Sequence, residues 1–313
     1  MDLMKALKKG DTIGIIKPSD RITEVRLKLI RKAIEDLESK GLSVRLSEQV
    51  TQTDKYGVSG GSAEERAAEL NSMFRDSDID AIWCAHGGDT VIELLDLIDY
   101  DMIKDNQKIF MGMSDIDVLH MAINKKTGMI SFNTCDPKFG RAYDFDRDYS
   151  QRWFHERLFQ KSRVVEPNSS WKTVRSGVAE GKIMGCNLTS LVKLAGTDYF
   201  PDLDDSILFL EGWSTDIKKA VWKLTQLKLL HVFDRIKGIV VGYVYNFDKD
   251  PQHDREGNRV EFEDIVQDIV PDLPILRINE FGHRTDSCFL PIGARARMDA
   301  DRKTIDITEN FLE

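Results

Sequence analysis

The 313-residue chain is 41% hydrophobic and 31% charged, so it can bury a substantial core, and its length predicts two domains. Its net charge of −9 and pI of about 5.3 argue against nucleic acid or an anionic membrane surface as the main partner. A small anionic substrate, held by a few local cations, is compatible with this charge.

The N-terminal segment and the cysteines bear on where the protein works. Residues 1–20 carry lysines but no continuous apolar stretch, so we expect no signal peptide. No apolar run approaches the ~18 residues of a membrane-spanning helix, so we expect no membrane partner. Cys84, Cys135, Cys186 and Cys288 are scattered and form no C-x-x-C motif, which is typical of reduced thiols. These features predict a cytoplasmic protein.

The first half of the chain alternates strand-like and helix-like patterns. Apolar or alternating runs predict strands at residues 12–16, 42–46, 79–85 and 107–113. Helical spacing of apolar residues predicts helices at residues 22–39, 62–76, 89–98 and 115–124. Ser62 and Glu65 have the spacing of a capping box at the start of the second helix. This order predicts a parallel sheet with helices on both faces.

The second half mixes strands and helices after a predicted linker. Residues 164–170 are rich in turn-forming residues, which predicts a boundary near 165–170 and domains spanning residues 1–165 and 166–313. Strands are predicted at residues 207–211, 236–244, 273–278 and 294–299, with helices near 187–195 and 214–230.

Sequence motifs for cofactors are missing. There is no G-x-G-x-x-G after the first strand and no G-x-x-x-x-G-K-[ST], which argues against a bound nucleotide cofactor. Cys84 and His86 are two residues apart on one strand face, but nothing beside them completes a metal-ligand set. We therefore expect neither a metal nor another cofactor.

Residues 110–120, FMGMSDIDVLH, raise a question about Ser114. An apolar strand ends there, Gly112 stands two residues before the serine, and a helical pattern follows at once. This half-motif fits a nucleophile elbow, although Ile116 occupies the position where the usual pattern has a second glycine. An N-cap role for Ser114 explains the same residues. The pattern alone leaves both interpretations open.

A serine nucleophile needs a base and an acid, and both are expected at strand ends. Two of the six histidines follow predicted strands: His86 precedes Gly87, and His283 lies in a glycine-flanked loop. Glu211 ends the apolar run ILFLE, a position where a merely solvated carboxylate is unusual. The order Ser114, Glu211, His283 matches one large class of serine hydrolases. A cysteine hydrolase that uses Cys84 or Cys288 is a weaker alternative.

Several segments together carry a family resemblance: KKGDTIGIIKPSD, AHGGDTVIELLDLIDYDMI, KIFMGMSDIDVL, EGKIMGCNLTSLVKLAGTDYFPDL, ILFLEGW, VFDRIKGIVVG and FGHRTDSCFLPIGARARMD. In this order they resemble the LD-carboxypeptidase family of serine peptidases, and the C-terminal half looks closest to its microcin C immunity hydrolase branch. The resemblance implies an α/β fold, with a flavodoxin-like or Rossmann-like parallel-sheet N-terminal domain and a smaller β-rich α/β C-terminal domain. It also implies a homodimer.

The resemblance assigns roles to individual residues. It implies Ser114 as nucleophile, Glu211 as acid and His283 as base, with the amides of Asp115 and Gly88 as the oxyanion hole. The reaction implied is hydrolysis of an amide through an acyl-enzyme, with no metal. A binding protein that has kept the fold and lost turnover is the alternative of another class.

Departures from the family pattern bear on the substrate. His86 stands where murein-cleaving relatives usually have arginine, and Asp136-Pro137 replaces a usual Gly-Pro. With Gly87, His86 is a candidate substrate-binding residue. Trp171 is another candidate, as an aromatic that stacks on a nucleobase, with interdomain packing as its alternative. We expect a small peptide-like or aminoacyl-nucleotide substrate, with the murein tetrapeptide as the alternative.

Overall fold

A six-stranded sheet forms the first half of the computed structural model, which describes residues 3–140 and 144–313. Its strands are β1 (Thr12–Ile16), β2 (Ser43–Leu46), β3 (Ala81–Cys84), β4 (Ile109–Gly112), β5 (Ser131–Asn133) and β13 (Leu290–Ile292). The order across the sheet is β13-β5-β4-β3-β1-β2, and β1 to β5 are parallel. The order 2-1-3-4-5 is that of a flavodoxin-like fold, so the predicted parallel sheet is confirmed.

Along the chain, the helices of the first half alternate with these strands or follow them. They are α1 (Glu24–Ser39), α2 (Ala63–Arg75), α3 (Tyr100–Asp105), α4 (Asp117–Thr127) and α5 (Asp148–Leu158). In α2, the hydroxyl of Ser62 accepts from the amide of Glu65, whose carboxylate accepts in return from the amide of Ser62. The predicted capping box is therefore confirmed.

One predicted helix has a different geometry. The pattern of residues 89–98 predicts an α-helix, but the chain forms a 3₁₀ helix at Val91–Leu97. Thr90 gives it no side-chain cap, while the amide of Val91 donates to the carboxylate of Asp115 at 2.9 Å. A tertiary contact, rather than a local cap, therefore holds the start of this segment.

A seven-stranded mixed sheet forms the second half. Its strands are β6 (Lys172–Arg175), β7 (Val178–Asn187), β8 (Ser206–Gly212), β9 (Gly238–Val244), β12 (Ile275–Gly282), β14 (Arg295–Asp299) and β15 (Thr304–Ile307). Their order is β15-β14-β7-β8-β9-β12-β6, in which β7, β8, β9 and β12 are parallel. This sheet confirms the predicted β-rich second half.

The remaining elements of the second half are short or lie beside the sheet. The helices are α6 (Leu188–Lys193), α7 (Ile217–Leu229), α8 (Tyr245–Asp248) and α9 (Phe262–Ile269), and a small ribbon pairs β10 (Gln252–His253) with β11 (Arg259–Val260). Among the helices of residues 3–140 and 144–313, none has the length and apolar character to cross a bilayer.

One strand connects the two halves. β13 pairs antiparallel with β5, with Leu290 opposite Asn133 and Ile292 opposite Ser131. A late segment of the chain thus completes the edge of the N-terminal sheet, which the sequence pattern did not predict. The division into residues 1–165 and 166–313 stays a prediction.

Candidate active site

Ser114 lies in a strained turn at the end of a buried strand. Every residue of β4 is buried, and the serine that follows it has φ +68°, in the left-handed region that non-glycine residues rarely adopt. A 3₁₀ turn at Ser114–Ile116 then leads into α4, and no side chain caps its start. The N-cap interpretation of Ser114 is therefore wrong, because its hydroxyl has a different partner.

Gly112 is required by the packing around this turn. A Cβ at position 112 would lie 2.6 Å from Cγ2 of Ile116 and 3.1 Å from Cβ of Cys84. Atoms so close would push the turn away from β3, because the branched Ile116 side chain has little freedom to move. The glycine therefore lets the chain fold back directly over the end of β4.

Three side chains from three strand ends form a continuous hydrogen-bonded chain. Nε2 of His283 lies 2.9 Å from Oγ of Ser114, and its Nδ1 lies 2.6 Å from Oε2 of Glu211. In the tautomer that satisfies both bonds, Nδ1–H donates to Glu211 and Nε2 accepts from the Ser114 hydroxyl. The sequence left His86 and His283 as candidate bases, and the structure brings His283 to Ser114.

The position of Glu211 explains how it orients His283. It is 1% exposed, close to the end of β8, while His283 directly follows β12. The amide of His283 also donates to Oε2 of Glu211, at 3.2 Å. Two bonds to one carboxylate oxygen fix both the backbone and the ring of His283.

Two residues behind Glu211 were not singled out from the sequence. Nδ2 of Asn187 donates to Oε1 of Glu211 at 2.6 Å, and Asn187 also caps α6 by accepting from the amide of Ser190. The backbone amide of Asn187 donates to Oδ2 of Asp117, and Nδ2 of Asn133 donates to Oδ1 of Asp117. The signal for Asn187 was its place at the end of a strand pattern, before a helix.

Asp117 is buried close to Glu211, and this affects where the negative charge lies. Burial first, and then the carboxylate of Glu211, raise the pKa of Asp117 well above its usual range. Two neighbouring carboxyl groups cannot easily both ionise in a buried site. The burial of Asp117 beside Glu211 therefore favours the neutral form of the Asp117 carboxyl group.

The Gly87-Gly88 turn after β3 packs directly on the serine. A Cβ at Gly87 would lie 2.8 Å from Cβ of Ser114 and 3.2 Å from the amide nitrogen of Asp115. A Cβ at Gly88 would overlap the carboxylate of Asp20, which accepts from the amide of Asp89 at 3.0 Å. Only a pair of glycines allows this turn to lie so close to the nucleophile loop.

Asp115 holds the backbone after Ser114 through its side chain. Its Oδ2 accepts from the hydroxyl of Ser19 at 2.7 Å and from the amide of Val91 at 2.9 Å, and its Oδ1 accepts from Nζ of Lys193 at 2.8 Å. The hydroxyl of Ser190 donates to the carbonyl of Ser114 at 2.8 Å. The turn is thus fixed from both halves of the chain.

A cavity of about 310 Å³ opens on one side of Ser114. His86 lines it, and we call it the His86 cavity. Asp136 and Lys138 also line it. Nδ1 of His86 lies 3.1 Å from Oδ2 of Asp136, and Nζ of Lys138 lies 2.5 Å from the same oxygen. The two residues that depart from the family pattern, His86 and Asp136, are therefore in contact.

The charge of Asp136 depends on these partners. Burial raises its pKa, but Lys138 and His86 outweigh that effect and hold the pKa well below its usual range. The carboxylate therefore stays ionised at the floor of the cavity. Its second oxygen, Oδ1, is buried without a hydrogen-bond partner among the described residues.

A second cavity of about 380 Å³ lies on another side of Ser114, and we call it the Lys223 cavity. Its lining includes Lys193, Lys219, Lys223 and the exposed rings of Trp213 and Trp222. Ser114, Gly88, Asp89 and Trp213 line both cavities, so the two spaces meet at the serine.

Trp171 is not brought to either cavity. It is 5% exposed, and its indole N–H donates to Oε2 of Glu280 at 2.8 Å. This burial matches the packing alternative that the sequence left open for Trp171.

Neither thiol of the cysteine alternative has the environment of a nucleophile. Cys84 and Cys288 are buried, and burial raises the pKa of Cys84 well above its usual range and that of Cys288 to about 12. Reactive cysteines need a lowered pKa and access to solvent. Within the described part of the chain, no three His, Cys, Asp or Glu side chains cluster as metal ligands.

Comparison with known proteins places the chain in a family. Residues 13–134 match the model of the LD-carboxypeptidase N-terminal domain, and residues 180–298 match that of the C-terminal domain. A probable murein peptide carboxypeptidase of Bacillus subtilis (strain 168) is 31% identical over 315 residues, covering 99% of this chain and 95% of that protein. The microcin C7 self-immunity protein MccF of Escherichia coli is 28% identical over 340 residues, covering 99% and 96%.

A solved structure of MccF in complex with aspartyl sulfamoyl adenosine is also similar. Its TM-score is 0.87 at 26% sequence identity, with 100% of both chains covered. The fold, the two domain models and the relatives that match along nearly the whole chain all indicate the same family. The chain is a hydrolase and belongs to the LD-carboxypeptidase family.

Proposed function

We propose that this protein is a serine amidohydrolase in which Ser114 is the nucleophile, His283 the general base and Glu211 the orienting acid. The observation that carries the proposal is the pair of hydrogen bonds, 2.9 Å and 2.6 Å, that joins Ser114 to His283 and His283 to Glu211. Nucleophile, base and orienter within hydrogen-bond reach are the signature of an activated serine. The left-handed backbone at Ser114 adds a second, independent support.

In this mechanism the histidine carries one proton in both directions. Nε2 of His283 takes the hydroxyl proton as Oγ of Ser114 attacks the amide carbonyl carbon, and Glu211 stabilises the imidazolium. The tetrahedral intermediate collapses as His283 protonates the leaving amine, which breaks the C–N bond and leaves an ester on Ser114. Water, deprotonated by His283, then attacks this ester. The bond between the acyl carbon and Oγ of Ser114 breaks, the acid leaves, and His283 returns the proton to Oγ.

The amides of Asp115 and Gly88 form the proposed oxyanion hole. Two features support it: Gly87 packs beside the Asp115 amide, and the carboxylate of Asp20 holds the turn after Gly88 through the Asp89 amide. Donors held this rigidly need little reorganisation when the oxyanion forms, and losing one typically costs about 3–4 kcal/mol in barrier height.

We expect the substrate to be a peptide-like or aminoacyl-nucleotide amide, similar to those of the microcin C immunity branch. MccF has been solved with aspartyl sulfamoyl adenosine and with glutamyl sulfamoyl guanosine. In this chain His86, paired with Asp136, stands where murein-cleaving relatives usually have arginine. An imidazole next to a carboxylate is a poor replacement for bidentate binding of a substrate carboxylate.

The murein tetrapeptide is the alternative substrate, because a Bacillus subtilis relative has the name of a murein peptide carboxypeptidase. The two are separated by measuring kcat/KM for an aminoacyl sulfamoyl adenosine and for an L,D-tetrapeptide under the same conditions. Efficient release of D-alanine without cleavage of the nucleotide compound would contradict our preference. Neither result bears on the role of Ser114.

The role of Ser114 is tested by labelling with a fluorophosphonate probe and by the Ser114→Ala variant. We expect wild type to be labelled and Ser114→Ala to be unlabelled and at least about a thousandfold less active, since loss of a triad member typically costs several orders of magnitude. Ser39→Ala, which changes an exposed serine of α1, is the control and should behave as wild type. A Ser114→Ala variant with more than about a tenth of the activity would exclude this mechanism, and an unlabelled wild type would favour the binding-protein alternative.

The homodimer that the family resemblance implies stays a prediction. Light scattering coupled to size-exclusion chromatography measures it directly, with a mass of twice 35.8 kDa expected.

A further inference from the structure

The Lys223 cavity contains a buried lysine whose charge has little compensation. The Lys223 residue is 4% exposed, and its Nζ donates to Oγ1 of Thr189 at 2.6 Å. Among the residues that the structure describes, no carboxylate lies within ion-pair distance of this ammonium group. An ammonium group has three donor hydrogens, so two of the three remain for another partner.

The neighbouring lysines make the contrast clear. Lys193, in the same cavity, is paired with both Asp89 and Asp115, each at 2.8 Å. The Nζ of Lys219 donates to the carbonyl of Ser214 at 2.8 Å, and this lysine also lines the cavity. The acidic residues lining the cavity, Asp89 and Asp115, are thus held by Lys193, whereas Lys219 and Lys223 have no carboxylate within ion-pair distance among the described residues.

The charge of Lys223 is costly in this position. Burial first, and then the nearby positive charge of Lys219, lower the pKa of Lys223 below its usual value, and the negative charges of Asp216 and Glu211 offset this only in part. A bound anion offsets both effects, since it supplies the missing counter-charge and hydrogen-bond acceptors. The two exposed rings of Trp213 and Trp222 border the same space, and the Lys223 ammonium lies 5.7 Å from the centre of the Trp222 ring.

We propose that Lys223, Lys219 and Thr189 form an anion-binding subsite, which holds a negatively charged oxygen group of the substrate while the scissile bond lies at Ser114. The ligand is a carboxylate of a peptide, or the phosphoryl or sulfamoyl group of an aminoacyl nucleotide. These groups share a negatively charged oxygen acceptor that a lysine pair binds. The inference rests on the proposed function only in taking Ser114 as the reacting centre.

The subsite gives the substrate a direction. In the His86 cavity, the cation Lys138 is paired with Asp136, whereas Lys219 and Lys223 line the other cavity with no carboxylate within ion-pair distance among the described residues. A substrate that carries an anion on one side of its amide bond is therefore attracted, on that side, to the Lys223 cavity.

The experiment measures binding to the Ser114→Ala protein, so that it does not depend on turnover. Calorimetry compares two pairs of ligands: an L,D-tetrapeptide with its C-terminal carboxamide, and an aminoacyl sulfamoyl adenosine with the neutral aminoacyl amide of 5′-amino-5′-deoxyadenosine. Each pair differs at the anionic group, and the pair that responds identifies its source. We expect Lys223→Met to weaken binding of the charged member of one pair about tenfold or more, and to change its neutral partner less than about twofold.

Three further variants make the result decisive. Lys218→Met changes an exposed lysine of the same helix and should leave all affinities unchanged. Lys223→Arg should recover part of the affinity lost in Lys223→Met. Lys219→Met, at a more exposed position, should show a smaller loss of affinity for the same charged ligand, even if Lys223→Met folds poorly.

Equal losses of affinity for charged and neutral ligands, or no loss in either lysine variant, would overturn the subsite. Failure of the fluorophosphonate test with these affinities intact would overturn the proposed mechanism alone.

Discussion

At the scale of single residues, the candidate site depends on side chains that position other side chains. Glu211 accepts on both oxygens, from His283 on one and from Asn187 on the other. A carboxylate that is held on both sides cannot rotate away from the imidazole, which preserves the tautomer needed at Ser114. Asn187 is thus a positioning residue, which acts through Glu211 and does not touch the reacting atoms.

The Asn187→Ala variant tests this role. We expect kcat to fall about 10- to 100-fold with little change in KM, because the Glu211–His283 geometry loosens while the cavities stay intact. Loss of the α6 cap should also lower the free energy of unfolding by about 1 kcal/mol. Steady-state kinetics and urea unfolding measure the two effects.

Ser62→Ala is the matched control for Asn187→Ala, because it removes the cap of α2 without touching Glu211. It should lose similar stability and keep full activity. An Asn187→Ala variant that loses stability but keeps its kcat would show that Asn187 is only a helix cap.

At the scale of elements, the strand–turn–helix formed by β4, the 3₁₀ turn and α4 is the central unit. The strand is buried on both faces, so its end is fixed, and the turn must reverse within a space bounded by Ile116 and Cys84. His120 on α4 adds to this by hydrogen bonding to the carbonyl of Gly112 at 3.2 Å and to Oγ of Ser131 at 2.8 Å. The backbone of the turn is thereby tied to the helix that follows it.

We predict that Gly112→Ala disrupts this unit. The added methyl group would lie 2.6 Å from Cγ2 of Ile116, so the turn must move. Overpacking of this kind typically costs about 1–3 kcal/mol of stability, and a shift of the serine by about 1 Å can cost 100-fold in rate. Thermal unfolding and the rate of fluorophosphonate labelling measure both effects.

Gly257→Ala is the comparison for this variant. Gly257 lies in a turn with positive φ. Apart from Gly257 and its two chain neighbours, no described residue has an atom within 4 Å of the place that an added methyl group would take, so the substitution strains only the local backbone. It should cost about 1 kcal/mol and leave labelling unchanged. Equal labelling rates in the two variants would show that the nucleophile turn tolerates a side chain at position 112.

At the scale of the whole molecule, the two halves are joined by exchange of a strand. β13 comes from the C-terminal half but forms the edge of the N-terminal sheet beside β5. The same chain region follows His283, so the pairing anchors the loop that carries the histidine. The connection also covers an edge that would otherwise expose unpaired backbone groups.

We predict that residues 1–165 do not fold stably by themselves. Without β13, the edge of β5 is uncovered, and Trp83, Phe145 and Phe154 lose their ring contacts with Phe289. Circular dichroism and thermal unfolding of this fragment should show no cooperative transition, whereas the full chain should unfold cooperatively. A fragment that melts cooperatively as a monomer would show that the first half is an independent domain.

Local pattern was enough to predict much of the fold. The positions of β1 to β4 and of α1, α2 and α4 follow from apolar periodicity, whereas β5 and α3 were not predicted. The capping box at Ser62 follows from two residues three apart. These features depend on neighbours in the chain, which is why the sequence carries them. The strand-end positions of Ser114, Glu211 and His283 could be predicted in the same way, because the carboxyl ends of parallel strands gather at one edge of a sheet.

Only the tertiary structure decided how these residues meet. From the residues alone, His86 and His283 were equal candidates, and a distance of 2.9 Å to Ser114 across 169 positions of the chain separates them. Trp171 shows the same limit, because the structure buries it against Glu280 and away from both cavities. Likewise, the pairing of His86 with Asp136 depends on segments far apart in the chain, as does the absence, among residues 3–140 and 144–313, of a carboxylate within ion-pair distance of Lys223. Burial and charge pairing are properties of surroundings in space, and those surroundings exist only after the two sheets have packed together.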